Sequence, residues 1–310
     1  MKKSHAWPGA GLTAVALSSL LVACGGGEDG PQAVEIQFAA VAGEQPIACN
    51  STVRLGRANV EATLKDLRFY ISNAALLRDD GSAVPITLAG NDSWNLTVGQ
   101  DRVTLIDLEN ASGACPSATG TAATQAVLKG TVPAGRYTGV RMTLGVPFAL
   151  NHSLWSDPAS AKPPLDIQAM SWSWQGGRKF AKIEVTQPAG ASPAWSASTF
   201  NFHLGSTGCQ GNPATGTQVS SCNAPNRMEF TLSAFDPATQ RVAVDLRALL
   251  AKADITANAG GALGCMSGGT DPECQLLFDA IGVDWKADGS GTGLPVNGGA
   301  GQVLFRAIGK

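Results

Sequence analysis

The sequence predicts an all-β fold: a single β-sandwich-like domain with disulfides and one or two short helices. Three observations carry this. Apolar and polar residues alternate at period two through much of the chain, as in Val34-Glu35-Ile36-Gln37-Phe38 and Val103-Thr104-Leu105-Ile106-Asp107-Leu108. Alternation sends successive side chains to opposite faces, so each run buries one face. The runs are punctuated by 37 glycines and 17 prolines, residues that end strands and make turns. An even set of cysteines in a chain that reads as exported supplies the cross-links.

The first residues set the compartment. Lys2 and Lys3 precede a short apolar run from Ala10 to Leu21, and Leu21-Val22-Ala23-Cys24 is followed by three glycines. This order is that of a secretory signal, too short to span a bilayer as a permanent helix. The Leu-Val-Ala-Cys ending resembles a bacterial lipobox, which implies cleavage before Cys24 and lipidation of that residue. Gly25 after the cysteine resembles lipoproteins sent to the outer membrane of a Gram-negative cell. The expected product is a periplasmic protein held to the membrane by its lipid anchor only. Residues 1–23 are thus read as signal peptide, 24–33 as a glycine-rich flexible tether, and 34–310 as one folded domain.

Within that domain, strands are expected at 34–38, 63–77, 83–88, 103–108, 127–132, 137–144, 179–185, 199–204, 228–235, 241–245 and 303–308. The run from Thr63 to Leu77 is the longest, and Asp80-Gly81 marks the turn that follows it. Helical spacing occurs only at 244–253 and 272–283. The second opens on Thr270-Asp271-Pro272-Glu273, a cap followed by proline in the first turn. The glycine-rich stretches 257–264 and 289–301 read as surface loops.

Apart from Cys24, the cysteines are Cys49, Cys115, Cys209, Cys222, Cys265 and Cys274. In an oxidising compartment, and without a C-x-x-C spacing, they favour disulfides over a thiolate metal site. Six cysteines allow many pairings. Short loops favour Cys209 with Cys222 and Cys265 with Cys274, leaving Cys49 for Cys115. Loss of Lys2 and Lys3 with the signal reduces 22 basic residues to 20 against 24 acidic ones, a net charge of −4. A mildly acidic surface without basic runs argues against nucleic acid as a partner.

Several chemistries are excluded by their missing motifs. There is no G-x-S-x-G, H-E-x-x-H or P-loop, and the run from Asp284 to Gly289 is only a faint calcium loop with Lys286 at a ligand position. Two histidines remain after the signal is removed, His152 and His203. His203 lies in Phe200-Asn201-Phe202-His203-Leu204, where alternation sets it and Asn201 opposite the apolar face. His152 falls in the loop after Gly145-Val146-Pro147. In Met170-Ser171-Trp172-Ser173-Trp174, a strand would put Met170, Trp172 and Trp174 on one face. Two imidazoles with a thioether form the one credible metal set, soft enough to favour copper, particularly Cu(I).

These residues, in this order, resemble the MbnP-like periplasmic copper proteins, also described as four-Cys, W-x-W partners of a diheme enzyme. The resemblance rests on Met170-Ser171-Trp172-Ser173-Trp174-Gln175-x-Gly177 and on Phe202-His203-Leu204-Gly205-Ser206-Thr207-Gly208-Cys209. Asp66-Leu67-Arg68-Phe69-Tyr70-Ile71-Ser72 and Gly145-Val146-Pro147 with Asn151-His152 agree with it, so it spans roughly 35 to 310. Six cysteines rather than four are a departure. The resemblance implies that a MauG-like enzyme of the diheme cytochrome c peroxidase family oxidises Trp172 to kynurenine, and that the product binds one Cu(I). An intact indole nitrogen donates a hydrogen bond and has no lone pair to offer a metal, whereas the opened ring has an aniline nitrogen and a ketone. The implied ligands are Met170, Trp172 after modification and His203, with His152 as a fourth ligand or a loop stabiliser. Trp174 is expected to pack or to relay oxidation.

Asp66, Arg68 and Tyr70 read as a structural polar cluster in an apolar run. Two other functions compete. One is a carbohydrate- or surface-binding β-sandwich using Trp155, Trp172 and Trp174 as an aromatic platform. The other, a copper redox enzyme, lacks an identifiable catalytic base, so the protein is expected not to be an enzyme.

Overall fold

The protein was analysed as a computed structural model that describes residues 30–172 and 177–310. The signal peptide, Cys24 and Trp174 lie outside the described residues. The chain begins with β1 (Gln32–Ala42), two residues earlier than the alternation suggests. It continues through β2 (Gln45–Pro46), β3 (Thr52–Leu55) and the 18-residue β4 (Val60–Leu77). Then come β5 (Ala83–Pro85), β6 (Thr87–Leu88), β7 (Asn95–Val98), β8 (Asp101–Asp107), β9 (Val127–Val132) and β10 (Gly139–Leu144). A short helix, α1 (Phe148–Asn151), and a 3-10 turn at Gln168–Met170 precede β11 (Ala181–Thr186) and β12 (Thr199–Leu204). β13 (Thr207–Asn212) and β14 (Thr217–Ala224) form a hairpin, followed by β15 (Met228–Leu232) and β16 (Gln240–Asp245). The helices α2 (Leu246–Leu250) and α3 (Cys274–Ile281) come next, and β17 (Phe305–Gly309) is the last strand.

The strands make an all-β sandwich. One sheet runs β17-β16-β1-β9-β6 with β2 added to β1, and its β1–β16 pair is parallel. The other is organised on β4. β3, β8 and β5 pair in turn along one edge of β4, and β11 then β10 along the other. One strand can serve five partners because it runs for 18 residues and is buried on both faces over most of its length. Between the sheets Phe38 meets Phe69 with ring centroids 5.6 Å apart, Phe305 lies 5.6 Å from Phe69, and Phe230 stacks on Phe305 at 4.4 Å. Each fully buried side chain of this kind contributes roughly 1.5–3 kcal/mol.

The helices are shorter than their spacing suggests, and a cap sets one end of each. Asp245 accepts hydrogen bonds from the Arg247 and Ala248 amides at the start of α2. Gly282, with φ of 66°, ends α3 in the left-handed conformation. β3 and β7 alternate but are only 4 residues long, too short to stand out, and in the β13–β14 hairpin Thr207-Gly208-Cys209-Gln210-Gly211-Asn212 is too polar and glycine-rich to read as a strand. Disulfides join Cys49 to Cys115, Cys209 to Cys222 and Cys265 to Cys274.

Candidate metal centre

The face of the β4 sheet turned away from the sandwich core carries charge, and it is buried as well. Register aligns Lys182 of β11 with Arg68 of β4 on one side and with His203 of β12 on the other. One step along, Glu184 is aligned with Asp66 and Asn201. Arg68 donates from Nε to Asp66 Oδ1 at 2.8 Å and pairs through Nη2 with Asp66 Oδ2. Lys182 bridges Asp66 and Glu184, the latter at 2.8 Å, and Lys65 reaches Glu184 at 3.3 Å. The expected polar cluster of Asp66 and Arg68 is thus part of a larger network. Tyr70 instead donates its hydroxyl to the Pro164 carbonyl at 2.8 Å.

His203 closes this network. Its Nε2 lies 2.8 Å from Glu184 Oε1, and its Nδ1, buried, has no hydrogen-bond partner among the described residues. Burial works to raise the Glu184 carboxyl, but the hydrogen bond from His203 and the Lys182 charge outweigh it and hold the group well below the usual carboxylate range. An ionised carboxylate only accepts, so Nε2 carries the proton and Nδ1 keeps its lone pair. Burial also holds the His203 ring below its ordinary pKa, despite the opposing pull of Glu184, so the ring is neutral. A neutral imidazole with one nitrogen on a carboxylate and the other open is the form in which histidine ligates metals.

Trp172 stands beside it. Its ring centroid is 6.0 Å from that of His203, and Lys179 Nζ lies 5.3 Å from the ring centre. The indole rests on bare backbone: a Cβ at Gly205 would come within 2.6 Å of Trp172 Nε1 and 3.0 Å of the Arg178 carbonyl. Trp172 belongs to a narrow hairpin. Ser171 bridges Arg178, the Trp172 amide donates to the Gly177 carbonyl at 3.0 Å, and the Lys179 amide donates to the Met170 carbonyl at 2.8 Å.

Among the described residues, the strand expected to start at Met170 does not start there. Met170 ends the 3-10 turn, closed by the Met170 and Ser171 amides on the Ile167 and Gln168 carbonyls and by Ser171 Oγ on Ile167 O at 3.1 Å. A short polar side chain that bonds its own backbone favours such a turn over a strand. Met170 is completely buried and packs in the apolar core. Alternation therefore does not place it on the face of Trp172.

His152 sits at the end of α1. Its ring packs against Phe148, and its Nε2 lies 3.1 Å from Asn151 Nδ2 and 3.4 Å from Cys222 Sγ. The orientation of Asn151 is fixed because its Oδ1 accepts from the Arg178 amide at 2.8 Å. The Asn151 amide therefore donates to His152, whose lone pair sits on Nε2 and whose proton sits on Nδ1. That Nδ1 faces Gly177, at 3.4 Å from where a Cβ would be. The two histidines thus flank the Trp172 hairpin in opposite tautomers.

Sequence reasoning missed Glu184 and Arg178. Arg178 is fully buried and donates from Nε to the Leu165 carbonyl at 2.6 Å, and from Nη1 to Asn151 O at 3.0 Å and Ser153 O at 2.6 Å. It ties the loop that carries His152 to the Trp172 hairpin. The signal for Glu184 was Lys182-Ile183-Glu184, charges alternating in a strand adjacent to another with Asp66 and Arg68.

The MbnP family profile matches residues 31–267. The chain belongs to the MbnP family. Among solved structures it is similar to MbnP from Methylosinus trichosporium, with a TM-score of 0.72 and 31% identity, covering 90% of this chain and 99% of that one. Comparison with curated proteins gives no significant match. Family membership makes this a copper-related protein.

Proposed function

We propose that the protein binds Cu(I) at a centre formed by His203 and the ring-opened form of Trp172, and that it acts in copper homeostasis rather than as an enzyme. The observation that carries the reading is the buried His203 Nδ1, which has no partner among the described residues and lies beside the Trp172 indole with its other nitrogen on Glu184. The donor chemistry fits: a neutral imidazole, an aniline nitrogen or ketone and a thioether suit Cu(I). Bound copper would supply a redox-active soft cation. Met170, which packs in the apolar core, would become the third ligand only by turning its thioether out of that core toward Trp172. His152 would join only by surrendering its Nδ1 proton, which makes it the weaker candidate.

Trp172 requires modification, since the intact indole offers no lone pair. A MauG-like diheme enzyme of the cytochrome c peroxidase family would oxidise it to kynurenine, in the periplasm, with the protein lipidated at Cys24. A carbohydrate platform has less support, because the Trp172 ring has Lys179 over it and its edge against His203.

The test is peptide mass spectrometry across Trp172, with metal analysis, on protein made together with its diheme partner. The expected result is kynurenine at position 172 and one bound copper, both lost in Trp172→Phe, and copper lost in His203→Ala. Unmodified Trp172 with no retained copper would sink the reading.

A further inference from the structure

The three disulfides are not equally sheltered. Cys49, Cys115, Cys265 and Cys274 are all buried, at 3% exposure or less, whereas Cys209 and Cys222 are both partly exposed. Thiol–disulfide exchange needs a thiolate to reach a sulfur, so a reductant meets Cys209–Cys222 first. A cavity of about 320 Å³, lined by Phe148, His152, Ser153, Pro213, Gln218 and Val219, opens beside it.

The fold also holds these cysteines in place independently of their bond. They face each other in the β13–β14 ladder, between the pairs Thr207↔Ala224 and Gln210↔Ser221, so the sulfurs remain neighbours after reduction. His152 completes the group. Its Nε2, whose lone pair accepts from the Asn151 amide and would be given up to a bound ion, is 3.4 Å from Cys222 Sγ, and the ligand atoms of His152, Cys209 and Cys222 all lie within 4.8 Å of one another. Two thiolates and an imidazole within that span are a donor set for a soft, low-coordinate cation.

We propose that Cys209–Cys222 is a reducible clasp and that, once opened, its two thiolates and His152 Nε2 bind a Cu(I) ion. This site is distinct from the one at His203 and does not depend on modification of Trp172. A dithiol reductant delivers two electrons and two protons to the disulfide, breaking the S–S bond and itself closing to a disulfide. Binding of Cu(I) then releases the two thiol protons to solvent. The oxidised protein lacks this site, because a disulfide sulfur is a poor ligand.

The test compares the full chain, oxidised and treated anaerobically with a phosphine reductant that is then removed, in titrations of Cu(I) against a chromophoric chelator. Alkylation and peptide mapping identify the opened bond. The expected result is alkylation at Cys209 and Cys222 alone and one more equivalent of Cu(I) than the oxidised chain binds, with a new sulfur-to-copper absorption band. Cys209→Ser/Cys222→Ser, folded by circular dichroism and treated identically, gains no copper, and His152→Ala binds the extra ion more weakly. No added copper on reduction, an equal gain in the double serine variant, or opening of a buried disulfide instead would overturn the proposal.

Discussion

Glu184 Oε1 lies 2.8 Å from His203 Nε2, and this contact decides which nitrogen of the histidine keeps a lone pair. Glu184→Gln can present an amide N–H to Nε2 and move the proton to Nδ1. Nitrogen NMR of the metal-free protein should show the exchanged tautomer. Cu(I) affinity should fall about 10- to 100-fold, the cost typical of losing such an outer partner. An unchanged tautomer and unchanged affinity would show that Glu184 serves only the ion-pair network.

Gly205 is the floor under Trp172. Gly205→Ala places a methyl group 2.6 Å from the indole nitrogen and 3.0 Å from a backbone carbonyl that cannot move away. The indole should be pushed outward, shifting its fluorescence to longer wavelength, and stability should drop by about 1–3 kcal/mol in urea denaturation. Gly205→Ala with native fluorescence would mean that the close contact is not maintained in solution.

Asp66 compensates two buried cations, Arg68 and Lys182. Asp66→Asn leaves the Arg68 guanidinium without its carboxylate, and the expected loss is about 3–5 kcal/mol. The double change Asp66→Leu/Arg68→Met should cost less than Asp66→Asn, since the guanidinium leaves with its partner and Lys182 keeps Glu184 at 2.8 Å. Denaturation midpoints of the two variants check the order.

Burial, reinforced by the nearby Arg178 charge, pushes the His152 pKa down to about 4, from 6.5 in the open chain. A depressed folded-state pKa means that the unfolded chain takes up the proton first as pH falls. The stability from this residue is therefore complete above about pH 6.5 and lost progressively toward pH 4, by about 2–3 kcal/mol. Asp107, held up near 7 mainly by burial, opposes this over the same interval, because its folded carboxyl is the one protonated first. The His152 contribution is thus best read as the difference between wild type and His152→Gln at pH 7 and pH 4.5. That difference should shrink or reverse at the lower pH.

Much of the sandwich was legible because alternation needs only local sequence. The runs that became β1, β4, β8 and β12 each bury at least one face, and a face can be counted along the chain. His203 and Trp172 were also legible, as rare side chains in ordered surroundings. Glu184 was not: in Lys182-Ile183-Glu184, alternation assigns the charged residues to solvent, yet both are buried. The cover comes from segments distant in sequence, including the loop pinned by Tyr70 on Pro164 and by Arg178 on Leu165, and no local period reports it. Met170 shows the converse, where alternation suggested a strand and the Ser171 hydroxyl helped to close a turn.

The parallel pairing of Phe38 with Val242, reinforced by the Gly43 amide on the Asp245 carboxylate 202 residues away, also bears on the order of assembly. During synthesis β1 has an open edge until nearly four-fifths of the chain has been made, while β4, β8, β10, β11 and β12 can already associate. Closing so long a loop is slow, and it exposes a strand edge in the meantime. β1 can already pair with β9 by then, so the last event in folding should be the docking of β16 on the free edge of the first strand, and a chain arrested before Asp245 should hold its His203 sheet while remaining prone to pair that edge with a neighbour.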